Sequence, residues 1–241
     1  MRGLLLLGNR FQCPCCGWRL RAFVEEHSVL RTSESGYCPR CNAKARHRRI
    51  WLYLEAHTEA LSAQIRLLEV APWWSFARRF QAMSSVDYIG LDLQRTGTQV
   101  TTIGDVIALP IQAEMIDVAL CIHVLEHVDD DRQAIAELYR TLRPGGLAVV
   151  SVPLRMDQPT LEDPSVRDPD ERARLFGEPG HVRYYGKDFI ERLRQPGFKV
   201  HMDPAYELPA ETRRRFGLRT DENIFHCVKR DRVSRNLKAQ I

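Results

Sequence analysis

"IDVALCIHVLEHVDDDRQAIAELYRTLRPGGLAVVSVP", residues 116–153, carries the pattern that decides the fold. The apolar run Ile116–Val124 reads as a buried strand. It runs into His123-Val124-Leu125-Glu126-His127. Aspartates then cap a helix whose Ala134, Ile135, Leu138, Tyr139 and Leu142 recur on one face. Arg143-Pro144-Gly145-Gly146 is expected to turn tightly into the next strand, Leu147–Val152. Strands that alternate with amphipathic helices build an α/β sheet, and ligands bind such sheets at the carboxyl ends of the strands.

Further strands are expected at Arg66–Val70, Tyr88–Leu93 and, more weakly, around Val100–Ile103. Glu69 ends the first, and Asp92 ends the second 23 residues later. An acid there is placed to accept both ribose hydroxyls of an adenosine. Asp105, in Gly104-Asp105-Val106, is placed to take the adenine amino group. Leu93 and Val106 complete the expected cofactor-binding set on this side. A nicotinamide dehydrogenase is disfavoured, because the turn after the first strand, Ala71-Pro72-Trp73-Trp74-Ser75, lacks the G-x-G-x-x-G pattern.

The amino-terminal segment holds Cys13-Pro14-Cys15-Cys16-Gly17 and Cys38-Pro39-Arg40-Cys41-Asn42. Each C-x-x-C pair precedes a residue that tolerates left-handed backbone. Two such knuckles offer four thiolates, from Cys13, Cys16, Cys38 and Cys41, to a structural zinc. Cys15 competes with Cys13 in the first knuckle. Cys121 and Cys227 lie in apolar strands and read as buried small hydrophobes. Ala43–Arg49 is basic and runs into Ile50, Tyr53, Leu54 and Leu61 at helical spacing. It reads as the solvated face of a linking helix bridging to acidic groups, ahead of an anion or nucleic-acid patch.

Beyond the core motif, Pro153–Gly186 is a long connection rich in Pro, Asp and Arg, and a credible lid. Asp168-Pro169-Asp170-Glu171 starts a helix there and Gly177 stops it. His181, Arg183, Tyr184 and Tyr185 could bind and deprotonate an acceptor, or the tyrosines pack beneath the lid while Arg183 caps a helix. A helix over Lys187–Arg194 and strands at Phe198–Met202 and Ile224–Val228 complete the pattern. The organisation expected is a zinc-ribbon module over 1–48, a linking helix over 49–65, a domain over 66–230 with its lid at about 154–186, and a frayed tail over 231–241. A hydrophobic content of 44% supports a real core, and a net charge of +4 is far from that of a protein dependent on phosphate contacts. Leu4–Leu7 is too short for a signal peptide or a membrane span. A cytoplasmic protein, monomeric or homodimeric, is expected.

The stretch 66–153 closely resembles the class I S-adenosylmethionine-dependent methyltransferases of type 11. In these a strand, a Leu-Glu-His element and a Leu-Arg-Pro-Gly-Gly turn follow in that order. The cysteine pairs resemble the head of a bacterial subgroup whose glycine loop is often replaced by Ala-Pro plus an acid. The resemblance implies a Rossmann-like, seven-stranded, mostly parallel sheet with helices on both faces, preceded by the ribbon. Aligned on Glu69, the family's loop glycines correspond to Ala71, Trp73 and Ser75. Ala71, Pro72 and Trp73 therefore join the cofactor set, with Glu69 and the helix start near Ser75 holding the methionine end and an indole packing on the sulfonium. His123 faces cofactor and acceptor in the family arrangement, so it is the favoured base, with His181 and Tyr185 as further catalytic candidates. The implied activity is methylation of an oxygen or nitrogen atom of a small molecule such as a sugar or secondary metabolite. Two other readings stay open: an RNA methyltransferase gripping substrate through the ribbon, and a zinc-dependent binding protein whose cofactor site has degenerated.

Overall fold

The computed structural model describes residues 6–25, 31–57 and 64–230. Leu61, the rest of the expected linking helix over 58–63 and the tail 231–241 lie outside the described residues. In chain order the strands and helices are β1 (Leu7–Gln12), β2 (Arg19–Leu20), β3 (Phe23–Val24), β4 (Thr32–Ser33), α1 (Ala45–His57), β5 (Ile65–Val70), α2 (Trp74–Gln81), β6 (Val86–Asp92), β7 (Thr102–Ile103) and β8 (Ile116–Ile122). Then follow α3 (Asp131–Thr141), β9 (Leu142–Ser151), β10 (Leu154–Arg155), β11 (Leu161–Glu162), α4 (Pro169–Phe176), β12 (Arg183–Gly186), α5 (Phe189–Arg194), β13 (Phe198–Asp203), α6 (Ala210–Phe216) and β14 (Ile224–Lys229). The chain divides into two compact units: residues 1–64, 72–87 and 203–224, and residues 65–71, 88–202 and 225–241. Residues 72–87 and 203–224 cluster with the amino-terminal segment.

In the second unit a seven-stranded sheet runs in the order β13-β14-β9-β8-β5-β6-β7. β5 pairs parallel with β8 and β8 with β9, while β14 is antiparallel to β9. This is the expected Rossmann-like architecture. The continuous apolar character of β8 is explained by its place between β5 and β9, where Val118, Ala119, Leu120 and Cys121 are all buried. Cys121 and Cys227 are fully buried, as read. Asp130 caps α3 by accepting the Gln133 N–H at 2.9 Å, and Ala134, Ile135 and Leu138 face the core.

Two local expectations are corrected. Arg143–Gly146 does not form a turn ahead of the strand, because Leu142 already pairs with Ile116 and the register then jumps so that Val118 meets Leu147. The four residues are a bulge within β9, which needs Gly145 at φ +77°. α5 starts at Phe189 rather than Lys187, since the Asp188 carboxylate is drawn to the Thr160 N–H at 2.6 Å. The segment expected as a lid carries its own small sheet, β10-β12-β11, and α4 with Asp168 as cap and Gly177 left-handed at φ +97°. Arg183 and Arg192 fasten it, both pairing with Glu162. Their guanidinium groups hold the Glu162 carboxyl below the usual range, Arg192 contributing most.

In the first unit the basic run is not a solvated face. His47, Arg48 and Arg49 are 3%, 0% and 2% exposed. Arg48 donates to the carbonyls of Phe216, Gly36, Ala43, Ser35 and Gly217 at 2.7 to 3.2 Å. Five such bonds use every N–H a guanidinium has. Its carbon lies 3.7 Å from the Phe23 ring centroid. Arg49 does bridge to an acid, Asp203, at 2.7 Å. Arg48→Ala would leave buried carbonyls without donors, so we expect a loss of about 3–5 kcal/mol of unfolding free energy in urea titrations. Arg194→Ala, in an exposed pair with Glu191, should cost no more than about 0.5 kcal/mol in the same assay.

Candidate cofactor-binding site

The sheet directs the carboxyl ends of β5, β6 and β8 to one edge, because these strands are parallel. Two of those ends carry strained backbone. Ala71, just after β5, has φ +49°, and His123, just after β8, has φ +52°. Left-handed backbone costs an L-residue with a Cβ about 1–2 kcal/mol, and it persists where surrounding bonds fix it. Here the Ala71 N–H donates to Leu91 O and the His123 N–H to Ser151 O, each at 2.8 Å. Ala71 thus takes the conformation that a glycine would supply at no steric cost.

Three carboxylates lie at or beyond strand ends of this unit. Glu69 is 2% exposed and accepts the Tyr88 hydroxyl at 2.8 Å. Burial, and then the neighbouring carboxylate, push the Tyr88 hydroxyl far up. Asp92 and Asp105 are half-buried, and each accepts one backbone N–H through one oxygen, from Leu93 at 2.7 Å and Ile107 at 3.1 Å. Both side chains are thereby oriented while keeping acceptor capacity on the second oxygen. Leu93 is 64% exposed beside Asp92, whereas Val106 is buried.

The remaining candidates are distributed differently. His123 Nδ1 lies 3.1 Å from Glu126 Oε1. The buried His181 gives its Nδ1 to Phe176 O at 2.8 Å. Tyr185 is fully buried, its hydroxyl held by Asp131 at 2.8 Å and Leu125 O at 3.2 Å, so it packs beneath the small sheet rather than reaching the strand tips. Burial, and then Asp131, drive that hydroxyl well above its usual range. Arg183 caps the carbonyls of Leu125, Val128 and Asp129. Pro72 and Trp73 belong to the other unit, where Trp73 stacks on His47 at 4.8 Å, donates to Asn42 O at 3.2 Å and has Lys44 Nζ 5.1 Å from its ring. α2 begins at Trp74, so Ser75 lies inside the helix rather than ahead of it, and the helix has no side-chain cap. Arg79 is occupied by the carbonyls of Pro14 and Cys15.

Sequence reading passed over Tyr88 and Glu126. Glu126 had a signal, since it stands three residues after His123 in a helical turn. Tyr88 had none, because its partner is fixed by β5–β6 register. A concavity of about 820 Å³ lies in the amino-terminal unit and is lined by Cys15, Cys16, Arg40, Trp74, Arg78 and Arg79 among others.

The four expected metal ligands come together. Cys13 and Cys41 sulfurs are 3.6 Å apart, and those of Cys16 and Cys38 3.7 Å. All four lie within 4.8 Å of one another. A tetrahedron with zinc–sulfur bonds of about 2.3 Å has edges of about 3.8 Å, so the geometry fits zinc. Gly17 and Asn42 take the left-handed backbone at φ +74° and +57°. Cys15 stands outside the group.

Residues 76–150 match the family model described as "Methyltransferase domain". A Mycolicibacterium smegmatis protein named a probable S-adenosylmethionine-dependent methyltransferase is 40% identical over 53 residues, 22% of this chain and 21% of that one. The chain spans about a fifth of the length of the curated relatives it matches. Among solved structures, the [4+2]-cyclase SpnF aligns with a TM-score of 0.55 at 15% identity over 87% of this chain and 86% of that one. The YcgJ protein of Bacillus subtilis aligns at 0.54 with 16% identity over 77% and 99%. Among the described residues no helix is long and apolar enough to cross a membrane. The domain match over residues 76–150 and the Rossmann-like sheet support a class I S-adenosylmethionine-dependent methyltransferase domain here.

Proposed function

We propose that the chain transfers a methyl group from S-adenosylmethionine to an oxygen or nitrogen atom of a small molecule. The observation that supports this reading is the placement of Glu69, Asp92 and Asp105 at or beyond strand ends of one sheet, with left-handed backbone at Ala71 and His123. Asp92 would accept the ribose hydroxyls beside exposed Leu93, Asp105 would take the adenine amino group, and Glu69 would pair with the ammonium of the methionine end. When bound, S-adenosylmethionine supplies an electrophilic methyl on a sulfonium. Holding an acceptor in line with that methyl provides most of the acceleration, and a base adds about 10²- to 10⁴-fold when the acceptor carries a proton. His123 is the group at the strand tip suited to that proton, with Glu126 beside its Nδ1. RNA as acceptor is disfavoured by the burial of His47, Arg48 and Arg49, which removes most of the basic run from the surface.

Calorimetry with S-adenosylhomocysteine tests the cofactor reading. Wild-type protein should bind, and Asp92→Ala should weaken binding about 10- to 100-fold, because a hydrogen bond to a charged group is worth ~1.5–3 kcal/mol. No heat at millimolar ligand, or an unchanged affinity in the variant, overturns it.

The four-cysteine group we assign to structural zinc, which leaves no position open for chemistry. Metal analysis should find that Cys38→Ser removes one zinc equivalent and that Cys15→Ser removes none. Chelation strong enough to strip that zinc should melt the knuckles, since such sites supply on the order of 10 kcal/mol of folding free energy.

A further inference from the structure

The turn after β8 brings a second group of metal-ligand side chains together. Glu126, His127 and His181 place a ligand atom each within 4.8 Å of one another, remote in sequence from the cysteines. Glu126 is 1% exposed, and neither of its oxygens accepts a hydrogen bond among the described residues. His123 Nδ1 approaches one oxygen at 3.1 Å without completing such a bond. A carboxylate buried this way is costly unless a cation compensates it. Neither a lysine nor an arginine pairs with it among the described residues, although Arg183 sits nearby and spends its guanidinium on the carbonyls of Leu125, Val128 and Asp129 and on Glu162.

The two histidines are set up for coordination. His127 Nδ1 lies 3.0 Å from Gly180 O, and His181 Nδ1 lies 2.8 Å from Phe176 O. A carbonyl can only accept, so both Nδ1 atoms carry the proton, and in the neutral ring the lone pair resides on Nε2. That is the arrangement by which backbone carbonyls fix the tautomer of metal-bound histidines. The rings meet edge to face with centroids 4.7 Å apart. The loop is held against the turn by the Val182 N–H on Glu126 O at 2.9 Å. Glu178 stands 3.8 Å from His181 Nε2, beyond hydrogen-bond reach, and is largely exposed.

We propose that Glu126, His127 and His181 form a second metal site, which binds a divalent first-row transition ion such as zinc. Two imidazoles and one carboxylate suit such an ion, and three protein ligands leave at least one position open to an oxygen ligand. Uptake of the ion does not depend on methyl transfer or on the cysteine site. The test is calorimetric titration of zinc chloride into full-length protein already carrying its tightly held metal. Wild-type protein should take up one further equivalent, and Glu126→Gln should lose it or bind at least tenfold more weakly. His127→Ala, at an exposed position, should do the same without disturbing the packing. Both variants should keep the metal that Cys38→Ser removes, which shows them folded. Absence of a further equivalent in wild-type protein overturns the proposal, as does its retention in both variants.

Discussion

Parallel pairing of β5 with β8 and of β8 with β9 is the constraint on which the chemistry rests. A strand end is where the backbone stops pairing, so residues there are free to adopt turns and present side chains. Because the strands share a direction, Glu69, Asp92 and His123 reach one edge although they are dozens of residues apart. The core that enforces this register is a run of small and branched side chains, among them Leu68, Ala119, Cys121, Ala148 and Val150. Each fully buried Leu, Ile or Val contributes about 1.5–3 kcal/mol.

Where the family places a glycine loop, this chain carries left-handed backbone at residues with a Cβ. Ala71 adopts the positive φ that a glycine would, and His123 does so at the neighbouring strand end. Both are locked by cross-strand N–H bonds at 2.8 Å, so the cost is met by the sheet itself. Such outliers gather at functional sites because the surrounding structure over-determines them. A sheet of this kind fixes where a site can be built, not which chemistry it performs.

In the amino-terminal unit, charge does structural work in the interior. Arg48 ties α1 to the loops at 35–36 and 43 and to the end of α6, with Phe23 beneath its plane. An arginine can replace apolar packing only when all of its donors are used, and five carbonyls use them. The cysteines close the same unit at its two knuckles. Trp73 and Arg79, which follow β5 in sequence, are drawn into this network through His47, Asn42, Pro14 and Cys15.

Periodicity and local turn chemistry determined much of this protein. The alternation of strands and helices, the Asp130 and Asp168 caps, the acids at the ends of β5 and β6 and the two cysteine knuckles are short-range features, written in neighbouring residues. The pairing of strands decided the rest. Whether Pro-Gly-Gly turns or bulges depends on Leu142 finding Ile116 across the sheet. The run at 43–49 looks solvated until carbonyls more than 160 residues away close around Arg48. Tyr185 looks reactive until Asp131 claims its hydroxyl in the core, and His181 joins Glu126 and His127 only when the segment at 180–182 folds back on them. Burial and long-range hydrogen bonding are properties of the assembled chain, and no window of sequence contains both partners.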